Sequence, residues 1–378
     1  MDFFSGLHLW GGSALGSVLP FLFVLTVVVF FHELGHFLVA RRCGVKIDAF
    51  SIGFGPELFG FYDRHGTRWR LAAVPLGGYV RFHGDDSAAS TPDHATLDRM
   101  SAADRKVSFF HKPVPQRAAI VAAGPIANFI LATVIFAGLF ILFGKSDSPA
   151  RVHSITPNSA AASAGFKEGD LVLSIDGRKI ETFSDMQRVV TISPGQTLVF
   201  VVERDSAQVT LSAVPTLEEH KDRFGNVYRL GRLGITGVLD APKPVGPLRA
   251  VKLGAAECWS VVDRTLSYIG GVIVGRESAD QLGGPLRIAQ ISGQVAANGF
   301  PDLLNLTALL SVSIGLLNLF PIPLLDGGHL LFYGIEAVLG RPLSPKAQEF
   351  GFRVGLAIVV MLMIVATWND ILHLMTAL

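Results

Sequence analysis

The sequence predicts a polytopic α-helical membrane protein with four membrane-spanning helices, a membrane-associated β-hairpin or loop, and one inserted β-rich domain. Half of the 378 residues are apolar and only 17% are charged, against about one quarter charged in an average soluble domain. The apolar residues gather in a few long blocks, close to the ~20 residues a helix needs to cross a bilayer. Between two of these blocks the pattern changes to short alternating runs separated by turn residues, as in a small β-domain. Phe far outnumbers Tyr and Trp, which suits side chains that face lipid and need no polar partner. The formal net charge of +1 supplies no clustered basic face, so nucleic acid is not an expected partner.

Residues 1–41 hold the first span, whose apolar core at 20–39 is interrupted only by His32-Glu33-Leu34-Gly35-His36. No Lys or Arg precedes it, as a signal peptide would require, and Arg41 and Arg42 follow at once. The positive-inside rule therefore predicts an outside N-terminus. Residues 42–117 read as a cytoplasmic loop. Within it, the Gly- and aromatic-rich stretches 50–61 and 69–82 predict a hairpin or looped sheet apolar enough to dip into the bilayer, and 87–101 a polar, flexible excursion. Residues 118–144 form the second span. Pro125 is expected to kink or break it, and Asn128 to make an interhelical hydrogen bond or, as a candidate substrate-binding residue, to meet a substrate.

Residues 145–240 form the inserted β-rich domain. Residues 241–302 are mixed, with 251–274 predicted as a helix lying along the membrane surface. Residues 303–340 hold the third span, its apolar run reaching Leu325 before Asp326-Gly327-Gly328-His329, and 341–378 the fourth, over 351–366. This topology returns the C-terminus and the inserted domain to the outside. It also places Cys43 and Cys258, the only two cysteines, on opposite sides, so no disulfide is expected.

The chemistry lies in His32-Glu33-Leu34-Gly35-His36. Residues four apart share a helix face, so two imidazoles can reach one cation with Glu33 beside them. A catalytic zinc takes three protein ligands and leaves a position for water, on which Glu33 would act as general base. Ionisable groups inside a spanning helix cost about 2.5 kcal/mol or more each, so three in one short run point to function. The third ligand is open on spacing: Asp326, His329 and Glu336 are candidates, Asp326 leading because Gly327 and Gly328 free the backbone around it.

The HELGH run, the GPIAN run at 124–128, and N-x-x-P-x-P-x-x-D-G-G-H over 318–329 together resemble the site-2 protease family of intramembrane zinc metalloproteases. The arrangement is most similar to its RseP-type branch. The resemblance covers nearly the whole chain, including the GFGP and PLGGYV segments of the loop. It implies zinc ligands His32, His36 and Asp326, with Glu33 as base and Asn318 as a substrate contact. It also implies that the element over 50–82 holds a substrate strand by edge pairing.

Residues 163–177, SAGFKEGDLVLSIDG, are similar to a bacterial PDZ domain whose helix would come from 182–190. The chain has room for one such domain where the enterobacterial relatives carry two. In the family's circularly permuted form the peptide-binding loop comes late, with Leu233, Gly234 and Ile235 as candidates. The implied substrates are single-span membrane proteins, such as anti-sigma factors and remnant signal peptides. An upstream site-1-type protease would trim them first, and the implied location is the bacterial inner membrane. The alternative reading is a membrane-anchored PDZ scaffold or chaperone with a non-catalytic metal site.

Overall fold

A computed structural model describes residues 14–84, 100–145, 148–221, 227–237, 242–275 and 283–377. Residues 87–99 of the expected polar excursion, and 238–240 at the expected end of the β-domain, lie outside these. The chain divides into two compact units. One comprises Met1–Leu139 with Pro247–Asp370, and the other Phe140–Gly246 with Ile371–Leu378.

The first unit is helical with one β-element. Its helices are α1 (Ala14–Arg42), α2 (Ala102–Val107), α3 (Val114–Phe143), and, beyond the second unit's elements, α6 (Pro247–Ile273), α7 (Pro285–Asn298), α8 (Phe300–Asn318), α9 (Asp326–Leu339) and α10 (Pro345–Ala377). Among the described residues, α1, α3, α8 and α10 are long and apolar enough to cross a membrane. A helix closes its own backbone hydrogen bonds, which is what hydrocarbon demands of a spanning segment. The outer faces are apolar: Val134 on α3 and Ile364 on α10 are each 63% exposed.

Three expectations shift. The third apolar run continues to Leu325, but α8 stops at Asn318, because Pro321 and Pro323 cannot carry the ladder onward. Helix α10 outruns the expected 351–366 at both ends. Helix α3 passes Pro125 without a break. The helix expected at 251–274 is present as α6, whose buried residues Ala250, Gly254, Cys258 and Val261 line one face.

Strands β1 (Ile47–Tyr62) and β2 (Arg68–Phe82) form the β-element. Residues 47–52 of β1 lie between the two halves of β2, pairing with 78–82 on one side and with 68–71 on the other, while 57–62 pair with 68–72. Gly53 (φ 86°) and Gly55 (φ 85°) make this doubling back feasible, since a side chain at such φ is strained. Phe50, completely buried, stacks on Trp69 at 4.3 Å and meets Phe37 of α1 edge-on at 5.5 Å. The turn is tied to the end of α1 by Arg41, which donates to Asp63 at 2.5 Å, while Asp63 also accepts from the Thr67 amide and the Trp69 indole. Burial alone would raise the Asp63 carboxyl, yet Arg41 and these turn donors hold it well below the usual carboxylate range.

The second unit carries β3 (Ser154–Ile155), α4 (Ala160–Ser163), β4 (Leu171–Ile175), β5 (Arg178–Lys179), α5 (Phe183–Thr191), β6 (Leu198–Arg204), β7 (Ala207–Ala213), β8 (Thr216–Lys221), β9 (Val227–Arg232) and β10 (Ile235–Thr236). Its main sheet runs β5-β4-β6-β7, with β8-β9 and β10-β3 as separate pairs. Inward residues of the alternating strands, Val172, Ile175, Phe200 and Val202, pack with Phe183, Met186 and Val190 of α5. Thr182 and Asp185 form a reciprocal capping box at the start of α5.

Candidate metal centre

Helix α1 carries His32, Glu33 and His36, and α9 opens with Asp326. Their convergence depends on close backbone approach at four glycines. A Cβ at Gly35 would stand 2.2 Å from the Ala123 carbonyl oxygen, so α1 meets α3 nearly backbone to backbone. A Cβ at Gly124 would lie 2.3 Å from His36 Nε2 and 2.9 Å from His32 Cε1, so this glycine makes the room the imidazoles occupy. Gly327 and Gly328, both buried, lie under the carbonyls of Leu319, Phe320 and Ile322. The Pro-containing turn thus folds tightly over the first turn of α9 and fixes Asp326.

His32 Nε2 lies 3.2 Å and His36 Nε2 3.5 Å from Asp326 Oδ2, and the two Nε2 atoms are 3.3 Å apart. Bonds of about 2.0–2.1 Å at tetrahedral angles put neighbouring ligand atoms roughly 3.3 Å apart. The triangle therefore has the size zinc requires. Asp326 Oδ2 is buried without a hydrogen-bond partner, and the two nitrogens and the oxygen aim electron-rich atoms at one point. A cation accounts for both features. Among the described residues, His32, His36 and Asp326 form the one group able to hold a metal.

Beside the triangle is a cavity of about 200 Å³, lined by the three ligand candidates, Glu33, Asn318, His329, Tyr333 and residues 78–80 of β2, among others. Glu33 lies under β2, close enough that a Cβ at Gly78 would be 3.3 Å from its Cγ. Residues 78–82 pair with β1 on one side, and this strand forms a wall of the cavity.

His329 faces the cavity without joining the ligand group. Glu336, the other open candidate, is engaged elsewhere: Arg117 donates to it at 2.6 Å and lies over the Tyr333 ring. Asn128 is completely buried, with its side-chain nitrogen 3.3 Å from His32 Nδ1 and its backbone carbonyl accepting from Ser311 at 2.9 Å. That is the interhelical role expected of it, made to a metal-ligand candidate. Sequence reading missed the part played by Gly124 and the Ile120 carbonyl, which lies 2.9 Å from His36 Nδ1. The signal was there: 120, 124 and 128 are spaced four apart, on one face of α3.

In the other unit, Leu233, Gly234 and Ile235 line a second cavity of about 460 Å³ with Phe183, Met186 and Val190 of α5. The Leu233 and Gly234 carbonyls accept from Ala161 and Thr156, and Gly234 has φ 78°.

The model of peptidase family M50 matches residues 20–362. This chain belongs to peptidase family M50. A provisionally named zinc metalloprotease of Rhizobium meliloti is 52% identical over 359 residues, covering 94% of this chain and 96% of its own. One of Agrobacterium fabrum is 50% identical over 366 residues, covering 95% and 97%. Metalloprotease MmpA of Caulobacter vibrioides is 42% identical over 373 residues, covering 93% and 94%. The chain is a membrane zinc metalloprotease of the site-2 type, and zinc is the metal its donor set fits.

Proposed function

We propose that this M50 protease cuts single-span membrane proteins within their transmembrane segments, with His32, His36 and Asp326 as zinc ligands and Glu33 as general base. One observation carries the reading. The candidate metal triangle is built on α1, a helix with the length and composition to cross the bilayer, where such polar groups are costly unless they work. The cavity is small, and His32, Glu33, His36, Asn318 and Asp326 are among its lining residues, as suits water brought to a peptide bond in a dry environment.

Zinc held by the triangle supplies Lewis acidity towards a peptide carbonyl and towards water. Glu33, in the same cavity, takes a proton from water and passes it to the leaving amine. Residues 78–82 offer an edge along which an unwound substrate segment adds as a strand, its peptide bonds extended and accessible. In this proposal Asn318 contacts the substrate backbone, a role supported by its position at the end of α8 and in the cavity wall.

The same reading makes the second unit a single permuted PDZ domain. Its groove between α5 and Leu233-Gly234-Ile235 meets substrates that a site-1-type protease has already trimmed. Arg41 and Arg42 in the last turn of α1, and Arg341 after α9, support an orientation with the N-terminus and this domain outside the cytoplasm, and the proposed location is the inner membrane. Anti-sigma factors and remnant signal peptides are the proposed substrates.

Co-expression of candidate single-span proteins with the wild type and with Glu33→Gln tests the proposal. A trimmed membrane fragment that accumulates only with Glu33→Gln is the expected result. A membrane-anchored scaffold with a non-catalytic metal would give identical fragment patterns with both.

A further inference from the structure

Both histidines of the triangle are held from behind by α3, and the two holds differ in an informative way. His36 Nδ1 lies 2.9 Å from the Ile120 carbonyl. A carbonyl only accepts, so Nδ1 carries the hydrogen and Nε2 presents its lone pair towards Asp326. His32 Nδ1 instead faces the side-chain amide of Asn128 at 3.3 Å, with the amide nitrogen towards it. In that orientation the amide donates and His32 Nδ1 must accept. A neutral imidazole has one N–H, so Nε2 would carry it and could not bind a metal. The Asn128 oxygen, meanwhile, is buried with no partner.

Half a turn of the amide about its last bond leaves its shape unchanged and brings the oxygen to His32. Nδ1–H then donates to Oδ1, and His32 takes the same tautomer as His36. The backbone of Asn128 is not free to withdraw: Ser311 holds its carbonyl at 2.9 Å, and a Cβ on Gly315 of α8 would lie 3.1 Å from its own Cβ.

We infer that Asn128 is a positioning residue for the metal, its side-chain oxygen accepting from His32 Nδ1 and so exposing Nε2 to the cation. The inference rests on the metal reading above. Ile120 and Asn128, on one face of α3 with Gly124 between them, set the two imidazoles as a pair. An acceptor behind a ligating histidine fixes its ring and raises its basicity, and losing one commonly lowers metal affinity about 10–100-fold.

The test is zinc affinity of the full chain in detergent, measured by competition with a chromophoric chelator, for wild type, Asn128→Leu and Asn128→Asp. Asn128→Leu keeps the volume and removes the acceptor, so its affinity should fall about 10–100-fold. Asn128→Asp presents only acceptors and should bind zinc about as tightly as wild type. The cobalt(II)-loaded chain gives a second readout: the wild-type visible band should persist in Asn128→Asp and shift in Asn128→Leu.

A side chain that merely packs predicts the reverse order, since a buried carboxylate without that role is the more disruptive change. Wild-type affinity in Asn128→Leu overturns the inference. Should that variant fail to fold, a loss of more than about tenfold in Asn128→Asp overturns it, and retention supports it. If the wild type binds no zinc, the metal reading falls and this inference with it; if wild type and Asn128→Leu bind alike, this inference alone falls.

Discussion

His32 Nε2 and Asp326 Oδ2 face each other at 3.2 Å, joining the interior of α1 to the first residue of α9. The contact holds together segments from opposite ends of the chain, and it is where the hydrolytic chemistry is proposed to occur. Glu33 stands in the same cavity without being one of the candidate ligands. Replacing it by Gln should leave zinc content unchanged and lower peptide-bond cleavage about 10²–10⁴-fold. Parallel metal analysis and cleavage assays on one preparation check both halves.

Gly124 has no side chain because the His36 and His32 rings fill that space. Gly124→Ala should therefore displace an imidazole, with overpacking costing about 1–3 kcal/mol and zinc affinity falling with it. Chelator competition and thermal unfolding of the metal-free chain separate the two effects. Unchanged affinity would mean that the rings sit elsewhere.

Glu336 was an open third ligand on spacing, and its carboxylate is held by Arg117 instead. Glu336→Gln should keep zinc while destabilising the chain by about 1–3 kcal/mol, as weakening a charge-assisted hydrogen bond in a part-buried pair does. Zinc loss in this variant, with the fold intact, would return Glu336 to the ligand set.

In the β-rich unit, Asp170 is buried and accepts two hydrogen bonds from Arg204, each 2.7 Å, and one from the Lys167 amide. Burial alone would raise this carboxyl, but Arg204 and the Lys167 amide hold it below its ordinary value. The unfolded chain therefore takes up a proton at Asp170 more readily than the folded one. The stabilisation is complete above the unfolded value of about 3.9 and is lost as pH falls through the lower folded value. Acid unfolding followed by circular dichroism should show Asp170→Asn destabilised near neutral pH, with a shallower loss of stability below pH ~4 than wild type.

Much of this was legible because the signals are local. The His32–His36 spacing is a property of one helix, and the glycine-rich runs around Gly53 and Gly77 mark where the β-element bends. The end of α8 is not legible in hydropathy, which continues to Leu325, whereas the helix obeys the prolines at 321 and 323. Asp326 could not be separated from His329 and Glu336 by spacing, since the choice depends on how α9 sits against α1 and α3. The link between Asn128 and His32 is likewise tertiary. So is Asp370, near the end of α10, whose carboxylate accepts from the Gly284, Leu286 and Arg287 amides and caps α7 from another helix.

The role of His32, His36 and Asp326 as the zinc ligands is tested by the zinc content of the purified full chain, measured by atomic emission for wild type and Asp326→Ala. With Asp326 as a ligand, the wild type carries one zinc per chain and Asp326→Ala loses nearly all of it while remaining folded. Full zinc occupancy in folded Asp326→Ala would contradict that role.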